Sequence, residues 1–207
     1  MSTDNHSDLE RYLDRIRPIL NITAGKKILE IAPLDGIHTK LCLEQNPKSI
    51  TLVEANQECI DSYLNVFTES NVKIINDDIF FYLEKAKNFD IVLCCGLLYH
   101  LHSPFYLLEL IANRVNPEYL IIESIYSSDP FIAEEERVNS IGQRNALSNW
   151  KTINLMFGLT LKSLKQAMSD LHYQLEEEFD YQDLQIENVL GGAKTNAIMT
   201  VWRKNIV

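Results

Sequence analysis

Short apolar runs in this chain end in acidic or polar residues, and these residues are the ones that could contact a ligand. The four groups are Glu30 with the turn at residues 32–36, Glu54, Asp77 with Asp78, and the stretch CGLLYHLHSP at residues 95–104. Carboxylates accept hydrogen bonds from hydroxyl, amino and ammonium groups, and a neutral histidine can take up a proton near pH 7. In doubly wound sheets the ligand lies beyond the carboxyl ends of the strands, so the four groups predict one binding site along that edge.

The first turn, EIAPLDG at residues 30–36, excludes one common ligand. A dinucleotide needs glycines whose backbone N–H groups close around a diphosphate at a helix N-terminus. Here Pro33 has no N–H group, Leu34 is bulky, and the Asp35 carboxylate repels phosphate, so NAD is not expected. A ligand with ribose and adenine but without phosphates fits, because Glu30 or Asp35 could accept a hydrogen bond from its ammonium group.

These residues resemble the class I S-adenosylmethionine-dependent methyltransferases, whose ligand combines adenosine, a sulfonium cation and an amino-acid tail. The first motif of that family matches at Glu30 and Gly36, while Ala32 and Leu34 stand where the family has glycines. The resemblance implies S-adenosylmethionine as the cofactor and a seven-stranded, mostly parallel sheet with an antiparallel C-terminal strand. It covers residues 26–124, and the helix and strand pair after residue 158 agree with the family's C-terminal part.

The resemblance also implies which residues contact the cofactor. Glu54 would accept hydrogen bonds from both ribose hydroxyls, the alternative being a solvated surface acid. Asp78 would accept from the adenine amino group, with Ile79 against the ring, although one of the two neighbouring acids also fits the N-cap of the next helix. The backbone around Gly96 would lie beside the sulfonium. The predicted cofactor residues are Glu30, Ala32, Pro33, Asp35, Gly36, Glu54, Ala55, Asp77, Asp78, Ile79, Cys95, Gly96 and Leu97.

Tyr99 and His100 are the candidate catalytic residues. Methyl transfer from a sulfonium is an in-line displacement, so the protein mainly aligns the reactants and excludes water. A general base is needed only where a hydroxyl acceptor keeps its proton until attack, and His100 could serve there or, alternatively, hydrogen-bond within its own loop. His100 and His102 alone are too few ligands for zinc, so no metal is expected.

The acceptor substrate is expected to bind beneath the segment at residues 125–158, which is long for a structureless loop. This segment is expected either to form short helices of its own or to cover the site. Its aromatic and polar side chains suit a small-molecule pocket, and the same side chains could instead pack the segment onto the sheet. The candidates are Tyr126, Arg144, Trp150 and Asn154.

Apolar runs alternate with amphipathic stretches from Lys26 onward, which predicts βαβ units in a doubly wound α/β fold. Their near-continuous Ile, Leu and Val content indicates strands buried on both faces. The predicted strands are residues 26–32, 49–55, 71–76, 89–95 and 119–124, with two more in EEEFDYQD and NAIMTVWRK. The predicted helices are residues 38–45, 57–68, 80–87 and 104–114, and a later one behind Thr160 as its cap.

One domain is expected from the chain length of 207 residues. Its parts are an N-terminal helix or lid at residues 1–25, a cofactor-binding core at 26–124, a substrate-side insert at 125–158, and a C-terminal helix and strand pair at 159–207. In the first part Leu9, Tyr12, Leu13 and Ile16 are spaced as one helix face, with Ser7 as its N-cap.

Composition narrows the expected partners and compartment. The formal net charge of -10 repels nucleic acid and anionic lipid. The four cysteines show no C-x-x-C spacing, which favours a reducing cytosol over a disulfide framework or a zinc site. The N-terminal stretch lacks the apolar core of a signal peptide and no later apolar run is long enough to span a membrane, so a cytoplasmic protein is expected.

Three functional hypotheses follow. The first is a methyltransferase acting on nitrogen or oxygen of a small metabolite or biosynthetic intermediate. The second is transfer to tRNA, because GLLYHLHSP is similar to the corresponding loop of bacterial enzymes that modify the wobble uridine. The third is a binding subunit that keeps the fold without catalysis. The sequence leaves the oligomeric state open, a homo-oligomer included.

Overall fold

The computed structural model describes residues 8–126, 131–134, 155–180 and 197–205. The strands are β1 (Lys27–Ile31), β2 (Ser49–Glu54), β3 (Val72–Asn76), β4 (Ile91–Cys95), β5 (Tyr119–Ile125), β6 (Phe131–Glu134), β7 (Leu155–Gly158), β8 (Tyr173–Asp180) and β9 (Ala197–Lys204). The α-helices are α1 (Asp8–Leu20), α2 (Ile37–Leu43), α3 (Gln57–Ser62), α4 (Ile79–Lys85), α5 (Pro104–Leu110) and α6 (Leu161–Asp170).

Seven strands form one sheet in the order β3-β2-β1-β4-β5-β9-β8. The first five run parallel, and β9 runs antiparallel to both of its neighbours. The predicted α/β class, the seven-stranded sheet and the antiparallel C-terminal strand are therefore confirmed. For each of the first five strands, both observed ends lie within two residues of the predicted ends.

Helices cover both faces of the sheet, which is why the central strands are apolar along their whole length. Alternate strand residues point to opposite faces. One face packs against α1 and α2 through a cluster that includes Tyr12, Ile16 and Leu41. The opposite face packs against α4, α5 and α6 through a cluster that includes Leu108 and Leu164.

Strand order reverses between β1 and β4. The chain proceeds from β1 through β2 to β3 on one side of this point, and from β4 to β5 on the other. The segments that leave the carboxyl ends of β1 and β4 consequently diverge, and in such sheets the ligand usually binds in the crevice between them. The predicted site residues after these strands therefore converge on one edge.

Two predicted helices differ in their C-terminal halves. The helix predicted at residues 57–68 is wrong beyond Ser62, because Tyr63 leaves the helical region (φ -127°) and a 3₁₀ turn, Leu64–Val66, follows. The helix predicted at residues 104–114 ends its α-helical part at Leu110 and widens into a π-helical turn, Ile111–Val115. The wider turn ends at a left-handed asparagine, which terminates the helix.

The predicted cap of α6 is confirmed, because the Thr160 hydroxyl accepts a hydrogen bond from the Ser163 N–H (3.0 Å). Ser7, the predicted cap of α1, lies outside the described residues. Within the predicted insert, the described residues form strands rather than short helices, since β6 and β7 pair antiparallel. In the part of the chain that the structure describes, no helix is both apolar and long enough to cross a lipid bilayer.

Candidate active site

The turn after β1 has a left-handed backbone at three alternate positions. The φ angle is 52° at Ala32, 54° at Leu34 and 72° at Gly36. A left-handed conformation costs a non-glycine residue about 1–2 kcal/mol, which is why glycine usually occupies such positions. Ala32 and Leu34 therefore adopt the left-handed backbone that glycine usually supplies.

Gly36 lies where packing itself requires glycine. A Cβ atom at this position would lie 2.4 Å from Cε2 of Phe67. The turn is closed by a hydrogen bond from the Gly36 N–H to the Pro33 carbonyl (2.9 Å), and the Asp35 carboxylate accepts one from the Ile37 N–H (3.1 Å). Asp35 thus stabilises the start of α2 and remains exposed at the mouth of the crevice.

Glu30 is a buried carboxylate with one oxygen still able to accept a hydrogen bond. It is 1% exposed, and its Oε2 accepts from the Thr39 hydroxyl (2.5 Å). Among the described residues no donor reaches Oε1. Burial raises the pKa of Glu30 to about 7, against the opposing charge of His38 and the Thr39 hydrogen bond. Because a buried acceptor without a donor is costly, Oε1 suits a cationic or N–H-bearing group of a ligand.

Glu54 ends β2 and faces the same turn. Burial raises the pKa of its carboxyl group, while hydrogen bonds from the backbone N–H groups of Asn56, Leu34 and Ala55 act in the opposite direction. The Asn56 N–H lies 2.9 Å from Oε1. Glu54 therefore ties the first turn to the carboxyl end of β2, and its contact with the ribose hydroxyls stays a prediction.

Asp77 and Asp78 lie between β3 and α4, and both carboxylates have partners within the protein. Asp78 caps α4, because its Oδ1 accepts a hydrogen bond from the Phe80 N–H (2.8 Å). Asp77 accepts from the Asp78 N–H (2.9 Å) and from Lys85 Nζ (3.0 Å). The capping alternative thus holds for Asp78, and an adenine contact through its second oxygen stays a prediction. Ile79 is buried in the core at the start of α4.

The end of β4 places a glycine beside an aromatic pair. Gly96, flanked by Cys95 and Leu97, is left-handed with φ 71°. A Cβ atom at Gly96 would lie 3.7 Å from the Tyr99 hydroxyl, so this hydroxyl reaches the bare backbone of the crevice. The rings of Tyr99 and His100 are 4.1 Å apart between centroids. The predicted sulfonium segment and the predicted catalytic pair therefore lie together.

The predicted acceptor-binding residues Arg144, Trp150 and Asn154 lie outside the described residues. Tyr126 is described and is buried at the end of β5, on the face covered by α4, α5 and α6. Burial raises the pKa of its phenol, and Thr200 lies close enough to oppose that rise in part. The Tyr126 hydroxyl nevertheless makes no hydrogen bond of good geometry with a described residue. Its role in acceptor binding stays a prediction.

Sequence reasoning missed a buried hydrogen-bond network beside Glu30. The Tyr12 hydroxyl lies 2.8 Å from His38 Nε2 and 3.0 Å from Glu123 Oε1. Glu123 is an acid inside an apolar strand, the same signal that identified Glu30, so this residue could have been found in that way. Tyr12 and His38 carry no such signal, because their pairing depends on how α1 crosses the sheet.

Charge as well as geometry holds the network together. Burial lowers the pKa of His38, but the hydrogen bond and charge of Glu123, with the charges of Glu30 and Asp35, raise it overall. The Cys95 sulfur lies within 4.8 Å of the ligand atoms of His38 and Glu123. Among the described residues, His38 and Glu123 both hydrogen-bond to the Tyr12 hydroxyl, so these side chains form a hydrogen-bond network.

The described residues fit a ligand of the adenosyl type with an ammonium group. Glu30 Oε1 supplies a buried acceptor, and the left-handed turn and Gly96 bring bare backbone to the crevice from two sides. Glu54 supplies a second carboxylate at the next strand end. The acids at this edge, Asp35 among them, disfavour the diphosphate of a ligand such as NAD.

Comparison with known proteins identifies the family. A family model described as a methyltransferase domain matches residues 2–178. A tRNA U34 carboxymethyltransferase from Nautilia profundicola is 30% identical in an alignment of 149 positions that covers 65% of this chain and 48% of that protein. A second one, from Campylobacter concisus, is 26% identical over 65% of this chain and 50% of its own length. The chain thus spans about half the length of the curated relatives it matches.

Solved structures share the fold. The N-terminal domain of EvdMO1, crystallised in the presence of S-adenosylhomocysteine (SAH) and D-fucose, has a TM-score of 0.67 and 22% identity, covering 99% of this chain and 85% of that one. The 1,6-didemethyltoxoflavin-N1-methyltransferase of Burkholderia thailandensis, also with bound SAH, has a TM-score of 0.68 and 16% identity, covering 94% and 78%. With the family model spanning most of its length, the chain belongs to the methyltransferase domain family, within the S-adenosylmethionine-dependent class that its sequence predicts.

Proposed function

We propose that the chain transfers a methyl group from S-adenosylmethionine to nitrogen or oxygen of a small metabolite or biosynthetic intermediate. The observation that carries this proposal is Glu30 Oε1, a buried acceptor without a donor among the described residues. Glu30 directly precedes the left-handed turn at residues 32–36, where the amino-acid end of an adenosyl ligand would bring an ammonium group.

Bound S-adenosylmethionine would supply a methyl group already activated by its sulfonium cation. Glu30 would accept a hydrogen bond from the ammonium group, and Glu54 would accept from the ribose hydroxyls. Gly96 leaves space for close approach, and the Tyr99 hydroxyl beside it would orient the acceptor. His100 would take the proton of a hydroxyl acceptor. The work of the protein is mostly alignment, which in favourable cases lowers a barrier by about 7–11 kcal/mol.

Charge at the crevice supports a small acceptor that is neutral or cationic. Asp35 is exposed at the mouth, Asp77 and Asp78 follow β3, and the chain carries a formal net charge of -10. Such a field repels the phosphates of a nucleic acid. The exposed Leu34 adds apolar surface at the same mouth, as expected for a pocket that takes small organic molecules.

The first test is calorimetric titration of the purified protein with S-adenosylmethionine and SAH, with NAD as the control ligand. Micromolar binding of both sulfur ligands is expected, together with a loss of at least about tenfold in affinity in Glu54→Gln, because one ribose acceptor becomes neutral. Binding of neither ligand would contradict the proposal and favour a binding subunit without catalysis.

The role of His100 can be tested once an acceptor is known. To find one, metabolite fractions are incubated with the protein and S-adenosylmethionine, and the fraction that causes release of SAH contains the acceptor. His100→Ala should lower kcat for a hydroxyl acceptor by about 10²–10⁴-fold and leave the Kd for SAH unchanged. His102→Ala, in the same loop, is the matched control and should retain turnover. Full turnover by His100→Ala would remove this residue from the proton-transfer role.

Transfer to tRNA is the second candidate, and the tRNA U34 carboxymethyltransferases among the relatives favour it. It predicts tRNA binding whose log affinity falls steeply and linearly with log salt concentration, because counterions are released from the phosphates. A filter-binding series from low to physiological salt measures this slope. Absence of binding at low salt would eliminate the tRNA hypothesis for the chain as it stands.

A further inference from the structure

Three secondary-structure elements bring side chains together beneath the proposed cofactor site. Tyr12 comes from α1, His38 from α2 and Glu123 from β5. The Tyr12 hydroxyl donates to Glu123 Oε1 (3.0 Å), with Oε2 at 3.2 Å, and His38 Nε2 lies 2.8 Å from the same hydroxyl and 3.5 Å from Glu123 Oε2. A tyrosine has one proton, and here the carboxylate accepts it, so His38 Nε2 must itself carry a proton and donate to the tyrosine oxygen.

The hydroxyl of Thr39, the residue after His38 on α2, donates a hydrogen bond to Glu30 Oε2 (2.5 Å), so the network and Glu30 form one buried cluster. Among the described residues, no Lys or Arg contributes to the pKa of Glu30 or His38. Glu30 and Glu123 are each 1% exposed, and His38 is 6% exposed. The other titratable groups around them are Tyr12, Asp35 on the turn, Cys42 on α2 and Cys95 on β4. Burial raises the pKa of both thiols well above the ordinary value, so they stay neutral. Against the effect of burial, the hydrogen bond and charge of Glu123 and the charge of Glu30 raise the pKa of His38, which favours its charged form. Glu30 Oε1 has no donor among the described residues.

We propose that His38, fixed by Tyr12 and Glu123, is a positioning residue whose positive charge favours the ionised form of Glu30, the form that accepts the ammonium group of the cofactor. This inference rests on the proposed function, because it assigns a role within the same cofactor site. The ligand ammonium completes the cluster: it brings the missing positive charge and the missing donor to Oε1. Because Tyr12 belongs to α1, the same hydrogen bonds join the N-terminal helix to α2 and β5.

Proton linkage makes the proposal measurable. Burial raises the pKa of Glu30 to about 7 in the ligand-free protein, so at pH 6 most molecules carry a proton on this carboxyl group. The proton must leave before the ammonium binds, so affinity for SAH should rise about tenfold per pH unit below pH 7 and level off above it. Without the charge of His38, the Glu30 carboxyl would hold its proton to higher pH, and the affinity midpoint should move upward.

The test is the Kd for SAH, measured by calorimetry from pH 6 to pH 9 in the wild type and in His38→Gln. If the midpoint moves up by about one pH unit, His38→Gln binds about fivefold more weakly than the wild type at pH 7, and the two Kd values converge near pH 9. The ratio of the two Kd values at each pH cancels the titration of the ligand's own amino group. His172→Gln is the matched control, because His172 lies after α6, away from the cluster.

A second variant guards against a folding defect in His38→Gln. Tyr12→Phe keeps the buried ring and removes only the hydroxyl that joins His38 to Glu123, so it should shift the midpoint in the same direction by a smaller amount. A ratio that stays constant across the pH range in both variants would overturn the inference, since a merely structural role weakens binding equally at every pH. A wild type that does not bind SAH at any pH would instead refute the proposed function itself.

Discussion

Replacing Glu30 with glutamine should change how the stability of the ligand-free protein depends on pH. Burial raises the pKa of Glu30 from an ordinary 4.5 to about 7 in the folded state. Below pH 4.5 the group is protonated in both the folded and the unfolded chain. Between pH 4.5 and 7 only the folded chain keeps the proton, so the free energy of unfolding falls as pH rises through this window.

The size of the effect follows from the shift. Each pKa unit corresponds to about 1.4 kcal/mol, so a shift from 4.5 to about 7 removes about 3 kcal/mol of stability between those pH values. Glutamine does not titrate and lacks this loss. The difference in free energy of unfolding, Glu30→Gln minus wild type, should therefore grow by about 3 kcal/mol from pH 4.5 to pH 8. At this chain length that corresponds to roughly 6–12 °C in Tm.

Urea denaturation of both proteins at half-unit steps from pH 4.5 to pH 8.5 measures the difference directly, without any ligand. The control is Glu84→Gln, which removes a carboxylate from an exposed position of α4. A Glu30→Gln difference that is constant over the whole range would refute the reasoning, because Glu30 would then titrate alike in the folded and unfolded states. A difference that shrinks with rising pH would refute the sign.

Substitutions at three further positions test the local geometry. Gly36→Ala should destabilise the protein by about 1–3 kcal/mol more than Gly25→Ala in urea denaturation, because both residues are left-handed but only the first Cβ meets the Phe67 ring; equal losses would contradict this. Asp78→Ala should cost about 1 kcal/mol of stability through the lost cap, whereas Asp78→Ser should retain the cap; unchanged SAH affinity in Asp78→Ser would exclude the adenine contact. Leu34→Gly should change the free energy of unfolding by less than about 1 kcal/mol, because relief of the left-handed backbone offsets the freedom that glycine gains in the unfolded chain; a loss above about 2 kcal/mol would show that packing of the leucine dominates.

The sheet could be predicted because its signal is local and repeated. Four of the first five strands, all except the edge strand β3, are buried apolar runs, and burial on both faces requires that composition. The ends of α3 and α5 could not be predicted in this way. A 3₁₀ turn follows α3 and a π-helical turn follows α5, and neither kind of turn has a strong sequence signature.

The same distinction holds for the candidate site, where features with a local sequence signal could be predicted and the others could not. Glu30 could be singled out because an ionisable side chain in an apolar run needs a reason to be buried. The left-handed angles of Ala32 and Leu34 could not, since these residue types rarely adopt them. The Tyr12–Glu123 hydrogen bond joins residues 111 positions apart, and only the crossing of α1 over the sheet brings them together. Asp78 is intermediate: its capping role was one of two alternatives that its position allowed.

The turn after β1 also changes what can be varied in this molecule. A turn made of glycines presents only backbone to a ligand, so no substitution can add chemistry there without disturbing the shape. Here the shape already tolerates side chains at Ala32 and Leu34, and Leu34 is 40% exposed at the mouth of the crevice. Position 34 is therefore a natural place for a focused library, in which polar, charged or aromatic groups are brought next to the ligand on an unchanged backbone path.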